Sequence, residues 1–123
     1  VSDREAYPIL RRQFAASYNA RLGQPNWVSY EYDARQMGGE DRCNCFTTDP
    51  LTVAAGFPVI TTNDYVGSGF SRGHMTRSAD RTRTNVENAS TFYLTNIVPQ
   101  NQDQNGGPWA TLENLLGDST RAG

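Results

Sequence analysis

The chain contains no lysine. Its 11 basic side chains are all arginine, set against 13 acids, for a formal net charge of −2. The whole surface therefore lacks the basic balance of a general nucleic-acid coat, and any recognition of anions has to come from local clustering. An arginine-biased composition explains the missing lysines equally well. Histidine occurs once, at His74, and cysteine twice, at Cys43 and Cys45. One imidazole and two thiols fall short of the roughly four ligands of a structural zinc site. Two cysteines one residue apart on a strand would share a face of a stiff backbone, which is poor geometry for a mutual disulfide; each is expected free or paired with a cysteine outside this chain. No apolar run approaches the roughly 20 residues of a membrane span. The start, Val1-Ser2-Asp3-Arg4-Glu5, has no basic-then-apolar leader pattern and reads as mature or trimmed. Nothing repeats, and no segment is low in complexity.

What is present suits one folded domain. The chain has 123 residues, of which 37% are hydrophobic, enough to bury roughly two thirds of its unfolded surface. Ser2-Asp3-Arg4-Glu5 reads as a capping box, and Pro8 as the first turn of a main helix. Tyr7, Leu10, Phe14 and Tyr18 would be its buried stripe, and Gly23-Gln24-Pro25 its end. Trp27 to Tyr32 is expected as a strand, Gly38-Gly39 as a turn, residues 41–49 as irregular, and Pro58 to Thr62 as a second short strand. Residues 80–90 read as a loop or short helical turn. Thr91 to Val98 is nearly continuous in apolar and β-branched residues, as a strand covered on both faces would be, and Pro99 stops it. Gly106-Gly107-Pro108 opens a last helix whose apolar side is Trp109, Leu112, Leu115 and Leu116.

The chemistry concentrates after a glycine-rich approach, Val66-Gly67-Ser68-Gly69-Phe70, which leads into Ser71-Arg72-Gly73-His74-Met75. Arg72, Arg77, Arg81 and Arg83 stand there against a single acid, Asp80. Guanidinium is a planar fork that can hold phosphate through two bonds; Arg42 and Arg72 are the leading candidates, with Arg77 and Arg81 as further substrate contacts. A neutral histidine can take a proton from water near neutral pH, and the neighbouring arginines would help to keep His74 neutral. Asn105 and Glu113 lie on or near the last helix, about 12 Å apart along its axis. That is too far for both to ligate one ion directly, so one would bind a metal and the other would hold its water. A site of one protein ligand and several waters suits magnesium. Taken singly, His74 as a surface or core residue, Asn105 as a helix cap, Glu113 as a solvated acid and each arginine in a salt bridge are the plainer readings.

Together these segments resemble the DNA/RNA non-specific endonucleases, sugar-non-specific nucleases of the ββα-metal superfamily. The resemblance is carried by residues 67–75, Ser78-Ala79-Asp80-Arg81-Thr82, residues 91–100, and Asn105 with Trp109 and Leu112-Glu113. It extends to residues 13–30 and 42–50. It implies that His74 is the general base, that Asn105 is the direct magnesium ligand (manganese being an alternative), and that Glu113 positions a metal-bound water. It implies that Asn96 supports the site, and that Arg72 and Arg42 contact phosphate or the transition state. The chain departs from the family at Ser71, where aspartate is commonest, and at Gly117, where an arginine is usual; Arg121 is a poorly placed substitute.

The resemblance implies an α+β fold, a mostly antiparallel sheet flanked by helices, with a ββα-metal finger carrying the site. Residues 1–123 read as a single nuclease domain, its N-terminal part, with the C-terminal piece cut or truncated and expected as a complementing partner. The implied reaction is magnesium-dependent, sequence-independent hydrolysis of phosphodiester bonds in DNA and RNA, leaving 5′ phosphates. The implied location is secreted or extracytoplasmic, with no membrane partner. The alternative is a non-catalytic nuclease fragment that binds nucleic acid or an inhibitor.

Overall fold

The structure, a computed structural model, describes residues 4–101 and 107–122. Ser2 and Asp3 of the expected capping box and the metal-ligand candidate Asn105 lie outside the described residues. The first element is not the expected helix. Residues Tyr7–Leu10 (β1) and Ala15–Asn19 (β2) form an antiparallel hairpin, with Tyr7 opposite Tyr18 and Leu10 opposite Ala15. Burial along β1 alternates: Ile9 is buried and Leu10 is 77% exposed. This is the period of two of a strand, not the 3.6 of a helix. Pro8, which has no N–H to give, sits on the edge strand of the sheet, where proline is tolerated. The chain reverses where the Arg11 N–H donates to the Phe14 carbonyl.

A second reversal, through Gly23 at φ +71°, leads into β3, Gln24–Ser29, which pairs antiparallel with β2. Asn19 stabilises this turn by accepting from the N–H groups of Arg21 and Leu22. β3 lies three residues earlier than the expected strand at Trp27 to Tyr32, and the O–H of Tyr30 donates to Tyr32 beyond its end. The core gathers Ile9, Phe14, Ala16, Tyr18 and Phe57, with Tyr7 edge-on to Phe57 at 4.9 Å.

Between the sheets the chain is largely irregular. Residues 41–49 behave as expected apart from an isolated bridge between Thr47 and Tyr93. Cys43 and Cys45 are bonded to each other, which corrects the expectation of free or externally paired thiols. The stretch is not a strand: Asn44, at φ +53°, folds the backbone between them and brings their Cα atoms to 5.1 Å, within the usual disulfide range. Pro50–Ala54 is a short helix, α1, capped by Asp49 and opened by its proline. The strand expected at Pro58–Thr62 is absent; the Ile60 carbonyl accepts from the Thr48 hydroxyl, and the segment ends in a 3₁₀ turn, Thr62–Asp64.

The second sheet is the antiparallel pair Ser71–His74 (β4) and Ile97–Gln100 (β5), in which His74 faces Ile97 and Gly73 faces Val98. Asn85–Ser90 forms the helix α2, capped by Thr84. The apolar run from Thr91 is not one covered strand. A 3₁₀ turn at Leu94–Asn96 interrupts it, and Pro99 lies inside β5 instead of ending it. The last helix, α3, spans Pro108–Ala122 and starts at its proline as expected. Its buried positions are Glu113 and Gly117, whereas Leu112, Leu115 and Leu116 are exposed. The architecture is α+β, with antiparallel sheets and few helices. No helix among the described residues is long and apolar enough to cross a membrane.

Candidate active site

Two buried asparagines shape the loops around β4. Asn96, fully buried, accepts from the N–H of Thr76 and donates to the carbonyls of Thr76 and Thr91. Its own carbonyl accepts from the N–H of Met75. The whole amide is spent on backbone, so Asn96 fixes the residues that follow His74 and does not face a ligand. Asn88 does the same for the other wall: it accepts from the N–H of Cys43 and donates to the carbonyls of Ser78 and Arg81. It thereby ties the Arg42 loop to the turn after β4. Sequence reading missed Asn88, since one amide in a polar stretch carries no signal of its own.

His74 ends β4 at 9% exposure. Its ring lies edge-on to Phe92, with centroids 4.7 Å apart, and 5.3 Å from Phe46. Its Nε2 is buried and has no hydrogen-bond partner. Desolvation, then the charges of Arg42 and Arg72, push its pKa from 6.5 down to about 3, so the ring is neutral at physiological pH. The expected electrostatic effect of the arginines is present, with burial as the larger cause.

Arg72 precedes His74 by two residues on β4 and so shares its face of the strand. Its guanidinium lies 4.0 Å from the centroid of Phe46, and that of Arg42 lies 5.0 Å from Phe92. The two aromatic rings that wall the imidazole thus also carry the two cations. Arg42 is further held by Asn44, to which its Nε donates at 2.6 Å. Partial desolvation and the charge of Arg72 lower the pKa of Arg42. Neither phenylalanine was singled out in the sequence, because Phe92 lies in the run that reads as a covered strand.

A groove of about 300 Å³ brings together His74, Arg42, Arg72, Arg77 and Glu113. Glu113 is 9% exposed, and its pKa is raised to about 7, foremost by burial; Arg77 opposes the shift and Asp80 adds to it. The buried indole N–H of Trp109 makes no hydrogen bond, yet it is near enough to favour the charged carboxylate. A second hollow adjoins the first through Arg42 and Arg72 and is lined by Phe46, Tyr65 and Phe70.

Arg81 is not brought to the groove. It is fully buried, and its guanidinium donates to the carbonyls of Gln13, Asp80 and Glu31, stitching the first hairpin to the turn after β4. Arg121 does not line the groove; it pairs with Asp118 and donates to the carbonyl of Ala79. Among the described residues, no three His, Cys, Asp or Glu side chains gather as a metal cluster. Glu113 offers hard oxygen donors to the groove, and its carboxyl, half-protonated near neutrality, is a site at which a nearby cation would stabilise the charge. That donor set fits a divalent ion held mainly by water.

Comparison with known proteins identifies the family. The chain is 41% identical to a nuclease of Nostoc sp. over 107 residues, which cover 87% of this chain and 39% of that protein. It is 41% identical to the human mitochondrial nuclease EXOG over 101 residues, covering 80% of this chain and 27% of that one. Among solved structures, a chain of the EndoG/EndoGI complex, described as showing the mechanism of EndoG inhibition, superposes with a TM-score of 0.80 at 28% identity, covering 94% of this chain and 49% of that one. The chain thus spans less than half the length of these relatives. The family model for DNA/RNA non-specific endonucleases matches residues 2–123, and the chain belongs to that family.

Proposed function

We propose that the protein acts as a metal-dependent endonuclease that hydrolyses DNA and RNA phosphodiester bonds without regard to sequence. One observation carries the reading: a neutral histidine with a buried, unpartnered nitrogen shares a groove with two guanidiniums stacked on its own aromatic walls. Such a group can take a proton from water, a role worth about 10²–10⁴-fold in rate. A pKa near 3 makes a weak acceptor. A phosphate drawn between Arg42 and Arg72 would offset the two charges that contribute to the depression and raise the imidazole toward its working range. Arginine contacts to the backbone, not to base edges, account for indifference to sequence and sugar.

Asn105, by family resemblance, would hold a divalent ion directly, and Glu113 would hold it through water; magnesium is the ion proposed, with manganese an alternative. Once bound, such an ion neutralises phosphate charge and stabilises the leaving 3′ oxygen. Within this chain, His74 receives the proton of the attacking water, Asn96 keeps the backbone after His74 in place, and Arg42 and Arg72 orient the phosphate. The exposed leucines of α3 suit a C-terminal segment of the same protein, consistent with the partial coverage of the relatives. A second reading is a nuclease fragment that binds nucleic acid or an inhibitor without cutting.

His74→Ala should abolish degradation of plasmid DNA and RNA while leaving DNA binding largely intact; wild-type rates in that variant would remove His74 as the base. Asn105→Ala should sharply raise the magnesium needed for half-maximal cleavage, and an unchanged titration would take Asn105 out of the site.

A further inference from the structure

Gly117 lies inside α3, one turn beyond Glu113, where glycine costs about 1 kcal/mol relative to alanine. The position is not open space. A Cβ built on Gly117 would overlap Nη2 of Arg77 and stand 3.2 Å from its Cζ and 3.3 Å from Oδ1 of Asp80. Arg77 therefore rests directly on the backbone of α3, in the volume that a side chain at 117 would fill.

Arg77 is fastened there from two sides. Its Nε and Nη2 donate to the two carboxylate oxygens of Asp80 at 3.2 and 2.8 Å, and its Nη1 donates to Oδ1 of Asn114 at 2.6 Å. The Asp80 side chain is fully buried. These bonds leave one hydrogen each on Nη1 and Nη2, and the guanidinium lines the groove that holds His74 and Glu113. The helix has given up a side chain at a buried position, and a guanidinium arriving from the turn after β4 occupies the gap.

We infer that Arg77 is a third phosphate-contacting arginine of the groove, delivered from the turn after β4 instead of from α3, and that Gly117 is the residue that admits it. The inference rests on the nuclease reading for its catalytic consequence, but not for the contact itself.

The test compares wild type, Arg77→Ala, Gly117→Arg and the double variant Arg77→Ala/Gly117→Arg in the full chain. Three quantities are read: plasmid cleavage with magnesium, the salt dependence of duplex DNA binding in chelator, and the melting temperature. Arg77→Ala is expected to lower kcat by about 10²–10³-fold, as loss of one transition-state donor does, and to reduce the salt slope by about 0.9. Gly117→Arg alone should melt lower, because two guanidiniums compete for one space. The double variant should regain a factor of roughly ten or more over Arg77→Ala, together with the lost slope. A lower melting temperature for Arg77→Ala with wild-type kcat and slope would reduce Arg77 to a partner of Asp80 and overturn the proposal, as would a folded double variant no better than Arg77→Ala. If wild type itself binds DNA but does not cut it, the nuclease reading fails separately, and an unchanged salt slope in Arg77→Ala would overturn the contact.

Discussion

Glu113 and His74 titrate in opposite directions, and both do so because they are buried. The Glu113 carboxyl moves from 4.5 up to about 7. Between those values the folded chain binds more protons than the unfolded one, so this group makes stability fall as pH rises through the window. His74 moves from 6.5 down to about 3. There the unfolded chain binds more protons, and stability falls as pH drops from 6.5 toward 3. In chelator, these two groups together favour a stability maximum between pH 4.5 and 6.5, the ordinary values of a glutamate and a histidine. Glu113→Gln keeps the shape and removes the charge. It should be more stable than wild type by about 1–3 kcal/mol at pH 8 without metal, and this advantage should vanish below the unfolded carboxylate pKa. Thermal melts at pH 8 and pH 4 decide this; equal melting of the two proteins at pH 8 would contradict the buried-carboxyl account. The same variant should lose metal-dependent cleavage.

At the scale of elements, the β4–β5 pair and the turn after it are the frame of the site, and Asn96 is their fastening. Removing its amide leaves the N–H of Thr76 and the carbonyls of Thr76 and Thr91 unpaired in a dry interior. Asn96→Ala should therefore cost about 2–4 kcal/mol, read as a lower urea midpoint with an unchanged m-value; a midpoint within error of wild type would show that these bonds are replaceable. These elements also mark what sequence could and could not disclose. His74, Arg72, Arg42 and Glu113 were legible because their residue types and order carry chemistry, and the structure gathers them in one groove. The start of α3 was legible because Pro108 marks it. The first hairpin was not, because Tyr7, Leu10, Phe14 and Tyr18 also satisfy a helical period, and only burial reveals that Leu10 faces solvent. The 91–98 run misled in the same way: its residues are buried by a turn and a short strand, and composition cannot separate those from a longer strand. The disulfide was illegible because it depends on the positive φ of Asn44, a conformation that the residues around it do not announce. Arg81 was read as a further substrate contact, whereas it is fully buried and donates to backbone carbonyls.

Across the whole molecule, the net charge is −2, and the proposed function has nucleic acid meet the groove that holds Arg42, Arg72 and Arg77. Duplex binding in chelator should show a log–log salt slope near −3, since each neutralised phosphate adds about 0.9. A slope near zero would contradict a phosphate-binding groove, and one far steeper would point to contacts elsewhere. The role proposed for His74 in this groove is metal-dependent hydrolysis of both nucleic acids. It is tested most directly by incubating the purified protein and its His74→Ala variant with supercoiled plasmid and with RNA, in magnesium and in excess chelator. The account predicts degradation of both polymers by wild type in magnesium, none in chelator, and none by the variant. Degradation that persists in chelator or in the variant, or no degradation of either polymer by wild type, would contradict it.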